Sequence, residues 1–182
     1  TLTLDTGPAF TINNIVVEGS RLDADLIQTL IPLKKGDRFR AENLATLYGG
    51  LFDSGYFRDV SIEQSAAGHA RRDIKIKLVD SAQHQLTAGV GFSTDTGARI
   101  RLGWNLPAIN RAGHQLQNDL RVAEREQSLT SEYRIPVRNP LENYLAVNAG
   151  WRNRDVEDTH TEIFNTGIAL HNKYKNGWHS RY

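Results

Sequence analysis

Residues 83 to 182 are dominated by a two-residue repeat in which apolar and polar side chains alternate. The first such segment places Leu86, Ala88, Val90 and Phe92 on one face. Six segments of this kind follow one another, each of about 10 residues and bounded by turn-forming residues. Because successive side chains of a strand point to opposite faces, the pattern predicts antiparallel strands with one apolar face.

Two architectures share this pattern. In a soluble sandwich the apolar face is the core, whereas in a membrane barrel it meets lipid. If the strands alternate in direction through a membrane, six apolar-face aromatics form the two belts expected of a barrel. These belts are Trp104, Tyr133 and Tyr174 at one rim and Phe92, Trp151 and Phe164 at the other. The opposite face is charged, which also suits the solvent face of a sandwich, so the pattern alone leaves both open.

The first 80 residues have a different period. Leu44, Leu47 and Leu51 line one face of a helix, and Ser54-Gly55 ends it. Val60 and Ile62 then alternate with polar residues as in a half-buried strand.

Further strands are predicted over residues 10–18, with a bulge at Asn13-Asn14, and over residues 73–79. A short helix capped by Asp23 lies between the first strand and the longer helix. The order is strand, helix, helix, strand, strand, which predicts an α+β domain with both helices on one face of a small sheet. Gly49-Gly50 suggests close approach of helix and sheet.

Composition narrows the class of protein. The chain has 182 residues, 24% charged and 39% apolar, which suits a folded chain. A net charge of +1 gives no reason to expect a nucleic-acid partner. There is no Cys, which excludes disulfides, and no run of about 18 apolar residues. Since Met is absent as well, we expect a mature chain or an excised piece.

No conventional active site emerges from the sequence. The six histidines are far apart, with no two at helical ligand spacing. Residues 155–158 contain three acidic side chains, which we interpret as an exposed loop. Gly89 and Gly91 lack the helix that a dinucleotide fingerprint requires. We therefore expect a non-enzymatic protein without a cofactor or a metal site.

Three segments of the N-terminal part resemble the POTRA (polypeptide-transport-associated) family. They are residues 15–19 (IVVEG), 33–37 (LKKGD) and 55–60 (GYFRDV), in the family's order. The residues that carry the motif are Gly19, Gly36, Asp37, Gly55, Tyr56, Phe57, Asp59 and Val60. The resemblance implies a POTRA domain (βααββ) over residues 1–80, the last before the barrel.

A POTRA domain followed by alternating strands resembles the outer-membrane assembly-factor superfamily. Residues 89–97 and 139–142 most resemble its TamA branch, the outer-membrane subunit of the translocation and assembly module. Such barrels have about 16 strands, so residues 83–182 correspond to the first six to seven transmembrane strands, and the chain to a fragment. The implied location is the cell outer membrane, with the POTRA domain in the periplasm.

The resemblance also implies a function: inserting and folding outer-membrane β-barrel proteins, autotransporters included, without enzymatic chemistry. The implied partners are these clients, an inner-membrane-anchored tether of the TamB type, and outer-membrane lipid. Two alternatives stay open. One is a POTRA–barrel transport pore of the two-partner secretion type, and the other is a soluble periplasmic β-rich binding module.

The first barrel strand is the candidate functional site. In the superfamily this strand meets the last one at a seam that can part sideways, and here it comprises the gate residues Leu86, Ala88, Gly89, Val90, Gly91 and Phe92. Gly weakens strand pairing, so an incoming strand could add to this edge. The competing interpretation is that the glycines only relieve crowding in the lumen. A second edge for partner strands is predicted over residues 57–64.

Overall fold

A computed structural model describes residues 10–38, 40–68, 70–94, 97–156, 159–173 and 179–181. The chain divides into two compact units, Thr1–Ser81 and Ala82–Tyr182. The predicted rim residue Tyr174, and Trp178 as the start of a seventh strand, lie outside the described residues. No helix among the described residues is long and apolar enough to cross a membrane.

The first unit has the predicted order of elements. They are β1 (Thr11–Glu18), α1 (Ala24–Leu30), α2 (Ala41–Asp53), β2 (Phe57–Ala66) and β3 (Arg71–Asp80). The sheet order is β1-β3-β2, with β1 parallel and β2 antiparallel to the central β3. The predicted bulge in β1 is confirmed, because the register shifts between Ile12 and Asn14.

One face of this sheet forms the core with the helices. Leu47 and Leu51 of α2 are buried, as are Ile74, Ile76 and Leu78 of β3. Each such side chain contributes about 1.5–3 kcal/mol when it leaves water. The helical period of α2 and the two-residue period of β3 therefore point at the same core, as predicted.

The Lys-Lys-Gly-Asp turn is bonded to the start of β1 through backbone hydrogen bonds. The amide of Gly36 donates to the carbonyl of Ile12 (2.8 Å), and the amide of Ile12 donates to the carbonyl of Asp37 (2.9 Å). The Asp37 carboxylate also accepts from the amide of Lys34 (2.8 Å), which closes the turn. The motif thus holds the turn against the start of β1, in a geometry that needs Gly36 at φ +93°.

The Gly-Tyr-Phe segment converts the end of α2 into β2. Gly55 has φ +75°, the left-handed conformation predicted for a helix C-terminus. Tyr56, Phe57 and Val60 are buried, whereas Asp59 is exposed. The amide of Ser81 donates to the carbonyl of Tyr56 (2.7 Å), so the motif also anchors the end of β3.

One local prediction is wrong at Gly49, and another, the N-cap at Asp23, is confirmed in position but without the expected side-chain hydrogen bond. A Cβ atom on Gly49 would meet no heavy atom within 4 Å outside its own helix, so this glycine does not mark close approach to the sheet. Asp23 does occupy the N-cap of α1, but its side chain makes no capping hydrogen bond. The first turn is closed by the backbone instead, where the amide of Ile27 donates to the carbonyl of Asp23 (3.1 Å).

The second unit is one antiparallel sheet in which each strand pairs with its neighbours in sequence, in the order β10-β9-β8-β7-β6-β5-β4. The predicted strands are present, and the last are longer than expected. Their bounds are β4 (Gln85–Ser93), β5 (Gly97–Leu106), β6 (Gln115–Ala123), β7 (Glu126–Pro136), β8 (Asn143–Val156), β9 (Thr159–Lys173) and β10 (His179–Arg181).

The substitution Gly19→Ala tests the packing of the first unit. Gly19 has φ +96°, and a Cβ atom there would lie 2.2 Å from the carbonyl oxygen of Leu78. We expect a loss of about 3 kcal/mol, because a left-handed Ala costs about 1–2 kcal/mol and the β3 backbone must also move. Peptide-resolved hydrogen exchange of the full chain in detergent measures the loss.

Gly36→Ala is the matched control. Gly36 shares the positive φ (+93°) but has open space around a Cβ atom. It should lose only the cost of the left-handed conformation, about 1–2 kcal/mol. Equal losses at both positions would contradict the close approach of Gly19 to β3.

Candidate functional site

Strand β4 lies at an edge of the seven-stranded sheet. Its nine residues pair with β5 from Gln85 opposite Asn105 to Ser93 opposite Gly97. Within the described part of the chain, no strand pairs with its other side. About half of the backbone amide and carbonyl groups of β4 point away from β5, and among the described residues no strand pairs with these groups.

The predicted apolar face of β4 is almost fully exposed. Leu86, Val90 and Phe92 are 79%, 89% and 76% exposed. Their register partners on β5 are Trp104, Ile100 and Ala98. We call the face that carries these side chains the apolar face of the sheet, and the opposite one the polar face.

The polar face of β4 carries Thr87, Gly89 and Gly91. Gly89 has open space above it, since a Cβ atom there would meet no heavy atom within 4 Å. Gly91 is covered instead by a side chain of β5, with the Nε atom of Arg99 2.9 Å from the place of a Cβ atom. The two glycines therefore differ, although the sequence pattern made them equivalent.

Three of the predicted rim aromatics hold polar partners. The indole of Trp104 donates to the Nδ1 atom of His84 (3.2 Å), and the hydroxyl of Tyr133 contacts the Nδ1 atom of His114 (2.8 Å). The indole of Trp151 donates to Glu162 (2.9 Å). Rings with one bonded polar end suit a boundary between apolar and aqueous surroundings. The other two described members of the belts are highly exposed, Phe92 (76%) and Phe164 (73%).

A row of side chains that includes Asn118, Ser131 and Thr166 crosses the apolar face and interrupts it with polar groups. Asn118 lies opposite both Trp104 and Ser131, and farther along the same row Ala149 lies opposite Thr166. The Asn118 amide donates to the carbonyl of Trp104 (3.4 Å). In the sequence, Asn118 interrupts the apolar positions that Leu116, Leu120 and Val122 share, and only the strand register places Ser131 beside it.

Arginines cluster on the polar face of β5, β6 and β8. Arg101 and Arg121 lie directly opposite each other, an arrangement that like charges disfavour. Asp119 binds both, with N–O distances of 2.6 Å to Arg101 and 2.7 Å to Arg121. A second carboxylate, Glu126, faces two further arginines at 3.6 and 3.9 Å: Arg152 and Arg154.

The other predicted edge, β2, is indeed an edge strand of the smaller sheet. Its exposed face carries an ion pair between Glu63 and Lys77 of β3. The hydrogen bond from Lys77 lowers the pKa of Glu63 and raises the pKa of Lys77. Because the Glu63 pKa is lowered, the pair supports folding above the usual range of a glutamate and loses its effect as the pH falls through that lowered pKa.

Within the described residues, no group of three or more His, Cys, Asp or Glu side chains could hold a metal ion. Ser54, which no motif marks as a nucleophile, uses its hydroxyl to bond the carbonyl of Leu51 (2.6 Å) at the end of α2. Asp155 is described, whereas the next two acidic residues of that loop lie outside the described residues.

Comparison with known proteins agrees with this division of the chain. Residues 10–80 match the POTRA family model, described as a surface antigen variable number repeat. The POTRA motif residues named above all lie within this match.

Two solved structures have a similar fold across both units. BamA from Haemophilus ducreyi, in a crystal structure lacking POTRA domains 1–3, has a TM-score of 0.67 and 15% sequence identity. The match covers 92% of this chain and 33% of that one. CdiB from Acinetobacter baumannii has a TM-score of 0.61 and 16% identity, with 91% and 34% covered. The chain spans about a third of the length of these structures.

The fold is therefore that of a POTRA domain followed by antiparallel strands of a β-barrel, and the predicted fold class is confirmed. At the level of the fold, the chain is similar to BamA and CdiB, and residues 10–80 carry the POTRA match. The same likeness in fold favours barrel strands over a sandwich for the alternating segments.

Asp119→Asn tests the arginine cluster. The amide keeps the shape of the side chain but removes the charge that separates Arg101 from Arg121, so β5 and β6 should lose about 1–2 kcal/mol. Hydrogen exchange of the amides of β5 and β6, in the full chain in detergent, measures the loss. Glu126→Gln is the matched control and should cost less, because its arginines lie farther away. An equal or smaller loss at Asp119 would contradict its bridging role.

Proposed function

We propose that this chain is part of an outer-membrane assembly factor of the TamA type, which inserts and folds β-barrel proteins such as autotransporters. In this proposal β4 is the first strand of a barrel of about 16 strands, and its free edge receives client strands. The observation that carries the proposal is the unpaired edge of β4 together with its exposed apolar face.

The apolar face meets lipid in this arrangement and the polar face lines the lumen. The strand β4 exposes three large apolar side chains side by side on one face: Leu86, Val90 and Phe92. Contiguous apolar surface of this kind is unusual on a soluble protein and is typical of a face that contacts lipid or a partner. Hydrogen-bonded Trp104 and Tyr133 lie near the turns between β5 and β6 and between β7 and β8. Those turns are at the end of the sheet where the chain enters β4, which is the periplasmic rim of the barrel.

The POTRA domain lies in the periplasm and is the last before the barrel. Its edge strand β2 offers ten residues for pairing with a client segment or with a tether of the TamB type. The motif residues Gly19, Gly36 and Gly55 all have positive φ and shape the turns of the domain. The protein works without catalysis, and folding of the client supplies the driving force.

The TamA assignment within the superfamily rests on two segments. One is residues 89–97, which include the gate glycines and the turn after β4. The other is residues 139–142, where the Asn139 side chain accepts from the amide of Leu141 (3.0 Å) and its carbonyl accepts from the amide of Glu142 (2.9 Å).

Photo-crosslinking tests the edge. We expect p-benzoylphenylalanine in place of Val90, on β4, to crosslink a model autotransporter while it assembles in the same cells. The same label in place of Leu129 on β7, which β6 and β8 flank, should give little product although it is also exposed on the apolar face. Yields are compared on blots against the autotransporter.

A label in place of Gln117, on the polar face of β6, distinguishes the transport pore of the two-partner secretion type. Strong crosslinking there and none at Val90 would overturn the proposal in favour of passage through the lumen. Equal crosslinking at Val90 and Leu129 would show general contact with the outer surface and would also overturn it.

A further inference from the structure

Arg99 differs from its neighbours on the polar face. Arg101, two residues along the same strand, turns towards β6, where its Nε atom bonds Asp119 at 2.6 Å. Arg99 turns the other way, over Gly91 of β4, with Nε 2.9 Å and Cζ 3.7 Å from the place of a Cβ atom. Because Gly91 has no side chain, the Arg99 side chain can lie across the polar face of β4 at this position.

None of the carboxylates in the described residues pairs with the guanidinium of Arg99. Among the described residues it makes no hydrogen bond or ion pair, whereas Asp119 and Glu126 each serve two other arginines. The neighbouring Glu124 rests against Gly97 instead. A depression of about 460 Å³ adjoins this guanidinium and reaches both Gly89 and Gly91.

We propose that Arg99 selects strands that carry a carboxylate opposite Gly91. Side chains directly opposite on paired strands have Cβ atoms about 5 Å apart. A strand that adds to the free edge of β4 would therefore bring an Asp or Glu at that position within ion-pair distance of a guanidinium lying over Gly91.

The preferred partner is an extended client strand with an acidic residue on its polar face, in one register. Backbone pairing to β4 alone tolerates a slip along the strand, because every residue offers the same amide and carbonyl. One fixed cation at Gly91 removes that degeneracy, while the open space above Gly89 accepts any side chain. This inference rests on the proposed function, since it needs β4 to receive strands.

Disulfide tethering tests it in a fixed register. The chain has no cysteine, so Thr87→Cys on the polar face of β4 offers one thiol. Synthetic peptides of about ten alternating residues carry a Cys opposite Thr87 and Glu, Gln or Lys opposite Gly91. The full chain in detergent is equilibrated with each peptide in a glutathione buffer, and the tethered fraction is measured by mass spectrometry.

We expect the Glu peptide to tether about fivefold more favourably than the Gln peptide, and the Lys peptide less favourably than either. Arg99→Gln should abolish the difference. The matched control Arg101→Gln removes the same charge from the same strand and face, and should preserve it. Moving the Glu to the position opposite Gly89 should also abolish the preference.

The outcomes separate this inference from the proposed function. If no peptide tethers better than one with a central Pro, the edge does not accept strands and both fail. If all peptides tether equally whatever their charge, the proposed function stands and the role of Arg99 is overturned. Loss of the preference in Arg101→Gln would overturn it as well, since the general positive field would then be responsible. The peptide series on the Thr87→Cys chain needs no change at Arg99, so poor folding of that variant leaves the charge comparison intact.

Discussion

The structure of the second unit depends on a hydrogen-bond ladder with an unpaired side at β4. Each strand from β5 to β9 has two neighbours, whereas β4 has one among the described residues. In the hydrocarbon region of a bilayer, an unpaired backbone group costs several kcal/mol, so such an edge must find a partner. This requirement connects the other features of the sheet. The apolar face, the glycines and the arginines each affect which strand can pair with β4.

The alternation of side chains was predictable because it depends only on the geometry of a single strand. Leu86, Val90 and Phe92 had to share a face whatever their neighbours were. The register between strands depends on turns and on packing far away in sequence, so the row that joins Asn118 to Ser131 was not predictable. The same limit applied to Gly91, which needed the position of Arg99 to become distinct from Gly89.

In the first unit, the sequence indicates which residues carry the motif, but it does not show what structural role each of them has. The sequence identifies Gly36 as a turn residue. The turn also makes two backbone hydrogen bonds with Ile12, and these join segments more than twenty residues apart, so the local sequence does not predict them. Gly19 marked the end of a strand, and only the fold shows the Leu78 carbonyl where a side chain would be. Gly49 has open space around it and not the predicted close approach to the sheet. The sequence cannot distinguish the two cases, because a glycine inside a helix is compatible with both.

In the proposed arrangement, the edge strands β2 and β4 meet the problem of unpaired backbone groups differently. The β2 edge is in water, where solvent satisfies its amides and carbonyls, so binding there is optional and must be favourable by itself. The β4 edge, which the proposed function places in lipid, has no such alternative, and in that proposal competition decides which strand pairs with it. Two glycines reduce what side-chain packing on the polar face contributes to that competition. The outcome then depends on backbone hydrogen bonds, which every strand offers equally, and, in our proposal, on the Arg99 guanidinium over Gly91, which distinguishes between strands.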